Sequence, residues 1–264
     1  MRVVVTTSLG AGPDTRAQAP ALAHRLGTVY VQRMDRSLED LFADFRVEGV
    51  VVVGRQRAGL FHRGPEGTAH FFFHPGTAVL RIKNILSGKP DQMIQAMGLQ
   101  PGDAVLDCTL GLGADAVVAG CAVGAEGRVV GVEKVAPVAV VVEYGLQKYA
   151  SRADPLTGAA MRRIQVVAAD HLDFLRQAPA ESFDVVYFDP FFRVSVKGAD
   201  QLVPLRVTGD LNSLTTEAVE EACRVARRRV VVKERRGSKE FARLGFNQVI
   251  GGRYARVAYG VIVK

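Results

Sequence analysis

The sequence predicts an α/β protein: a mostly parallel sheet covered by helices on both faces, completed by an antiparallel C-terminal hairpin and preceded by a small α+β unit. Three observations predict it. From Gly102 onward, apolar runs alternate with helical patterns, the signature of successive strand–helix units. Those runs are nearly continuous in Val, Ile and Leu, as strands buried on both faces require. The style of the chain breaks near residues 74–102, which divides it into a small N-terminal unit, 1–74, and a larger domain, 75–264.

The N-terminal unit starts with a strand at Arg2–Thr6, a Gly/Pro turn at Gly10–Pro13 and a helix ending at Leu26-Gly27. A short strand is expected near Val29–Val31, then a helix from Ser37, a residue suited to an N-cap, to about Phe45. Strands at Gly49–Gly54, Ala58–His62 and Thr68–Phe73 follow, with turns at residues 55–57 and 63–67. A connecting segment holds Ala78–Leu86 and a helix over Asp91–Met97, with Gly98 at the position of a helix stop. In the larger domain, strands are expected at Ala104–Cys108, Arg128–Glu133, Ile164–Ala168, Asp184–Phe188 and Arg229–Lys233. Helices are expected near Ala114–Val123, Ala136–Tyr149, His171–Gln177 and Thr215–Arg227. Asn247–Ile250 and Arg256–Val263, separated by Gly251-Gly252, form the closing hairpin.

Composition bounds the function. A chain of 264 residues, 48% apolar and 23% charged, can bury a substantial core. Its apolar stretches fall far short of a bilayer span, and the start lacks a secretory pattern, so a cytoplasmic location is expected. Three cysteines without CxxC spacing, Cys108, Cys121 and Cys223, read as buried free thiols and offer no metal site. The formal net charge is +7, and the basic excess lies mostly after residue 150. Residues 224–243 hold nine basic side chains and two acidic ones. Such a run suits an RNA partner, because each neutralised phosphate releases counterions; a solvated helix end and loop fits it equally.

Chemistry concentrates at the strand ends. The run from Val105 to Gly113 takes a strand into a Gly-rich turn, with Asp107 at the strand end and Gly111 and Gly113 in the turn. Glycines let a ligand approach the backbone, and the following helix start favours hydrogen-bond acceptors. Glu133 ends the next strand, where an acid can accept hydrogen bonds from ribose hydroxyls. A dinucleotide enzyme would share these features. Asp107 favours S-adenosylmethionine, since a carboxylate there meets a cationic methionine end and would repel a pyrophosphate. Asp170, after the third strand, is placed for the adenine, with His171 beside it as a helix-start residue or a further contact.

The most informative run is Tyr187-Phe188-Asp189-Pro190-Phe191-Phe192, at the end of the fourth strand. It resembles the Asp/Asn-Pro-Pro-aromatic motif of enzymes that methylate exocyclic amines. In such a site Asp189 and backbone carbonyls would accept hydrogen bonds from the target NH2, and Phe191 or Phe192 would stack on the base. An aromatic core turn is the plainer alternative. Lys233 either faces the substrate side of the sheet or is a solvated strand end.

Taken together, Arg81–Gly98, Asp107–Asp115, Asp184–Phe192 and Arg228–Lys233 resemble the RsmJ-type 16S ribosomal RNA guanine-N2 methyltransferases, which have a Rossmann-like class I methyltransferase fold. The resemblance covers about 180 residues, from Pro75 onward. It implies an S-adenosylmethionine-dependent enzyme of rRNA modification, with cofactor positions on Ala114 and Asp115, Glu133 and Lys134, Asp170 and His171, and Asp189. The chain departs from the family's Asp-Pro-Met-Phe-Pro, having Asp189-Pro190-Phe191-Phe192-Arg193, and keeps only Lys197 and Arg206 of the Lys-rich stretch that follows. Other readings stay open: a methyltransferase of a small molecule or protein, a non-catalytic factor binding the cofactor or RNA, and an NAD-dependent oxidoreductase.

Overall fold

A computed structural model describes residues 1–64, 67–190 and 214–264. The chain opens with β1 (Val3–Thr7), α1 (Pro13–Arg25), α2 (Leu38–Phe45), β2 (Gly49–Val53), β3 (Ala58–Gly64) and β4 (Gly67–Phe72). Their sheet has the order β1-β2-β3-β4, parallel between β1 and β2 and antiparallel thereafter. Ser37 caps α2 as expected: its hydroxyl accepts from the Asp40 amide, and the Asp40 carboxylate accepts from the Ser37 amide. The strand expected near Val29–Val31 reduces to a single bridge between Val5 and Tyr30, with backbone bonds only from Val5 to Val29 and from Val31 to Val5. The β3–β4 turn is tighter than expected, since Arg63 and Gly64 still pair with Thr68 and Gly67.

Two connecting helices, α3 (Ala78–Leu86) and α4 (Gln92–Met97), lead to the second sheet. Asp91 caps α4, and Gly98 stops it in the left-handed conformation at φ 57°. Then follow β5 (Ala104–Asp107), α5 (Ala114–Val123), β6 (Arg128–Glu133), α6 (Ala136–Ala150), α7 (Pro155–Arg163), β7 (Ile164–Ala168), α8 (His171–Gln177) and β8 (Phe183–Phe188). The last elements are α9 (Thr216–Val225), β9 (Ala226–Arg235), α10 (Glu240–Arg243), β10 (Gln248–Ile250) and β11 (Val257–Val263). Sequence periodicity missed α7 and α10. It also carried α9 two residues too far: the strand takes over at Ala226, which is fully buried, because pairing with β8 begins at Phe183.

The second sheet is a Rossmann-like seven-stranded layer of order β10-β11-β9-β8-β5-β6-β7. Only β11 runs against its neighbours, inserted between β9 and the edge strand β10. Successive strands step outward from β5 in both directions, so β5 and β8 flank the topological switch point. Ligands of such sheets bind in the crevice beyond the carboxyl ends of these strands. One face packs on α8 and α9 through Leu175, Val219 and Val225. The other packs on α5 to α7 in a core that also holds Val51, Leu60, Phe71 and Phe73 of the small sheet. The two sheets therefore share one apolar layer, with α6 between them. Gly145 of α6 makes the closest approach, where a Cβ would lie 2.1 Å from the Phe73 Cβ.

Candidate active site

The crevice beyond β5, β6, β8 and β9 collects most of the residues singled out from sequence. At the end of β5, Asp107 Oδ1 accepts from the Thr109 amide at 3.0 Å, while its Oδ2 has no hydrogen-bond partner among the described residues. Burial pushes this carboxyl up to about 8; the Thr109 amide opposes the shift, and Asp115 and Asp189 reinforce it. The turn then passes through Gly111 and Gly113, at φ 49° and 71°, conformations that disfavour any residue with a Cβ. Among the described residues, a Cβ at Gly111 would meet only the Thr109 carbonyl, at 3.8 Å. Ala114 follows as the first residue of α5.

Glu133, at the end of β6, braces the turn from the neighbouring strand. Its carboxylate accepts from the Gly111 amide at 3.1 Å and the Val135 amide at 2.9 Å. Burial raises its carboxyl despite these two bonds. Lys134 pairs with Asp170 at 3.1 Å. Asp170 in turn caps α8 through the Leu172 amide, and His171 sets its ring edge-on to Phe188, 5.9 Å between centroids. Glu133, Lys134, Asp170 and His171 thus line up along the ends of β6 and β7.

On the other side of the switch point lies a chain of buried charges that the sequence did not reveal. Asp91 pairs in two places with Arg81 of α3, Nε to Oδ2 at 2.8 Å and Nη2 to Oδ1 at 2.9 Å. Arg81 also pairs with Asp115 of α5. Asp115 accepts from the Tyr187 hydroxyl at 2.8 Å and from the Lys233 ammonium at 3.1 Å. Lys233 then donates to Asp189 Oδ2 at 2.7 Å. Signs alternate along the whole path, from Asp91 to Asp189. Burial works against the charge of Lys233, but Asp189 and Asp115 hold its ammonium above the usual lysine range. Burial likewise opposes ionisation of Asp115, yet Lys233, Arg81 and Tyr187 keep its carboxyl below the usual range. Asp189 moves the opposite way, raised by burial and by Asp115 although Lys233 holds it back.

These contacts answer the question that the sequence left open at Lys233. Lys233 is only 20% exposed and faces the crevice between two carboxylates. The Asp115 side chain is committed to Arg81, Tyr187 and Lys233 rather than to open space. Asp189 is fixed at both ends, since its amide donates to the Thr109 hydroxyl at 2.6 Å. Pro190 follows it, and Phe191 and Phe192, with Arg193, Lys197 and Arg206, lie outside the described residues. Arg81, Thr109 and Tyr187 are the residues that sequence reasoning did not assign. The only signal for Arg81 was its place in the Arg81–Gly98 stretch, because pairing partners 34 and 10 positions away leave no local pattern.

The basic run at 224–243 does not form one surface. Arg224 donates to the Leu175 and Ala178 carbonyls, at 2.7 and 2.9 Å. Arg227 pairs with Asp184 at 3.3 Å and Arg228 with Asp103 at 2.5 Å. Arg229 donates to the Ala96 carbonyl, and Arg243 pairs with Glu240. The physical reason is the strand: β9 separates Arg227 from Arg235 by about 26 Å, which places them at opposite ends of the sheet. Cys108 is buried as expected, whereas Cys121 and Cys223 are half-buried; all three are free thiols. No group of residues that could hold a metal ion occurs among the described residues, and none of their helices is long and apolar enough to cross a membrane.

The crevice fits S-adenosylmethionine by the chemistry of its donors. Asp107 offers an unpartnered carboxylate oxygen to a cationic amino acid end, the described residues leave room above the glycine turn, and Glu133 ends the next strand with its carboxylate against that turn, where an acid can meet ribose hydroxyls. Comparison with known proteins agrees. The family model described as "Putative SAM-dependent methyltransferase" matches residues 56–258. Uncharacterized protein YpiP of Bacillus subtilis is 41% identical over 259 residues, covering 98% of each chain. Ribosomal RNA small subunit methyltransferase J of Pseudomonas syringae pv. syringae is 30% identical over 233 residues, covering 86% of this chain and 83% of its own. A crystal structure of a SAM-dependent methyltransferase from Neisseria gonorrhoeae shares the fold, with a TM-score of 0.65 at 16% identity over 98% of this chain and 95% of that one. With the strand order and the matches in agreement, the chain belongs to the S-adenosylmethionine-dependent methyltransferases, in the family that includes the ribosomal RNA small subunit methyltransferases J.

Proposed function

We propose that this methyltransferase modifies an exocyclic amine of a ribosomal RNA base, of the guanine N2 kind, with residues 75–264 as the catalytic domain and the first 74 residues as a substrate-facing unit. The observation that carries the reading is Asp189-Pro190 at the switch point, its carboxylate held by Lys233 and its amide by Thr109. The relatives named ribosomal RNA small subunit methyltransferase J support the choice of substrate.

When bound, the cofactor supplies a methyl group on a positively charged sulfur. Asp107 and Glu133 anchor its amino acid and ribose ends, with the Gly111 to Asp115 turn, Lys134, Asp170 and His171 completing the cofactor side. Asp189 Oδ2 is occupied by Lys233, which leaves Oδ1 to accept a hydrogen bond from the target NH2. That bond turns the nitrogen lone pair towards the methyl group, so the chain contributes chiefly by positioning. Because burial raises the Asp189 carboxyl, it is also suited to take the proton that the nitrogen releases on methylation. Phe191 and Phe192 are assigned to stack on the base.

Transfer of labelled methyl into RNA and protein extracts, by the wild type and by Asp189→Ala with both saturated with cofactor, tests this reading. The wild type should label RNA, and the variant should lose about 100-fold or more in rate while binding cofactor within a few-fold of normal. Intact transfer by Asp189→Ala, or label in protein alone, overturns the reading. Mass mapping of modified bases in RNA from cells lacking the protein then identifies the nucleotide.

A further inference from the structure

Most cations of the 224–243 run are spent on internal partners, Arg235 and Lys239 excepted. A second group of cations without acidic partners surrounds the β2–β3 turn. Arg55, Arg57, Lys148 and Arg152 have no carboxylate partner among the described residues. They are neighbours: the Tyr144 hydroxyl donates to the Gly54 carbonyl at 2.9 Å, tying the turn to α6, and Arg152 donates to the Gln56 side chain at 2.8 Å. Lys148 lies in the last turn of α6, and Arg152 follows just beyond the helix end.

Three of the four are held in place by aromatic rings instead of by acids. The Arg57 guanidinium lies 4.7 Å from the Phe72 ring centroid, the Lys148 ammonium 5.2 Å from Tyr144, and the Arg152 guanidinium 5.4 Å from Tyr149. A ring face orders a cation without cancelling its charge. Phe72 also begins a cross-strand row: His70 lies 5.1 Å from it and stacks on Phe61 at 4.1 Å with the rings nearly parallel. Burial lowers His70 below the usual histidine range, and Arg57 adds to the shift; the row lies on the face of the small sheet opposite α6, with Arg57 over its Phe72 end. Ordered cations beside half-exposed rings match what a nucleic acid strand presents, phosphates alongside flat bases.

We propose that the β2–β3 turn and the adjoining end of α6 bind a single-stranded stretch of RNA, with Arg55, Arg57, Lys148 and Arg152 meeting its phosphates. The choice of RNA rests on the proposed function. Through this surface the first 74 residues grip substrate while the second sheet carries the chemistry.

The experiment measures binding of a labelled mixed-sequence oligoribonucleotide to the full chain across about 50 to 200 mM salt. The variant Arg55→Ser/Arg57→Ser should bind more weakly and lose about 0.7 in the slope of log affinity against log salt for each phosphate contact removed. Its cofactor affinity and melting temperature should stay unchanged, since both side chains are exposed. The comparison variant Arg235→Ser/Lys239→Ser, taken from the C-terminal run, should keep the wild-type slope. An unchanged slope in Arg55→Ser/Arg57→Ser, loss of the slope in the comparison variant instead, or binding to vesicles of phosphatidylserine and phosphatidylcholine but not to RNA overturns the proposal. If the wild type binds RNA through this surface yet labels no RNA, the proposed function fails while the surface stands.

Discussion

The two sheets of this protein handle charge in opposite ways. The large sheet draws Asp91, Arg81, Asp115, Lys233 and Asp189 into a buried path of alternating sign, whereas the small sheet and the adjoining α6 leave arginines in water, resting on rings. The difference follows from dielectric surroundings. A buried ion is tolerated only when it is paired and hydrogen-bonded, so such ions become rigid and serve to position. An exposed cation interacts weakly with its own protein and stays available to a polyanion. On the proposed reading, burial marks the place of chemistry, and exposure marks the place of contact.

The contrast can be broken most forcibly at Lys233. Lys233→Met leaves Asp115 and Asp189 facing each other without their ammonium, which should cost about 3 kcal/mol in stability and abolish most methyl transfer. Lys233→Arg should recover much of the stability. Thermal unfolding and labelled-methyl assays check both, and a Lys233→Met protein as stable as wild type would mean that the charge path holds nothing in place.

Next comes the seam between the sheets. Gly145→Ala drives a Cβ into Phe73, and neither the helix backbone nor a ring anchored at its own Cβ can yield cheaply. The cost should be about 2 kcal/mol, enough to outweigh the roughly 1 kcal/mol that alanine gains in a helix. A urea midpoint reads this directly. A stabilised Gly145→Ala would show that the shared core has room to spare.

The Asp107 carboxyl, raised to about 8 by burial, sharpens the comparison through pH. Its folded-state value lies above the ordinary one near 3.8, so the stability linked to its proton is complete below about pH 4 and is lost as pH rises through about 8. A cationic ligand prefers the ionised form. Cofactor affinity should therefore climb by up to about tenfold per pH unit towards pH 8 and level off above it. Calorimetry should also show proton release on binding. In Asp107→Asn both the climb and the proton release should vanish. The smallest effect belongs to the local cap of α2, where Ser37→Ala should cost about 1 kcal/mol and leave cofactor affinity untouched.

Legibility from sequence tracked the range of the interaction involved. The bounds of β6, β7, α5 and α8 fell where periodicity and caps placed them, since hydrophobic pattern and turn chemistry are local signals. The four-residue α10 is too short to show a period, and α7 carries Gly158 and few apolar residues over PLTGAAMRR, so neither stood out. Asp107, Glu133 and Asp189 were legible because each sits at a strand end, a position that sequence reveals. Arg81 and the role of Tyr187 were not, since neither residue type nor spacing predicts a partner on another element.

By itself the chain of letters determined the layer architecture, the crevice at the switch point and the acids that rim it, all consequences of alternating apolar runs and of where they stop. Only the tertiary structure decided which charges would neutralise one another. It dispersed the nine basic residues of 224–243 over both ends of a strand, because an extended chain carries neighbours in sequence far apart in space. It also gathered Arg55, Arg57, Lys148 and Arg152, scattered over nearly a hundred positions, around one turn and the helix end beside it. Charge acts through distance in three dimensions, and that distance is fixed by packing.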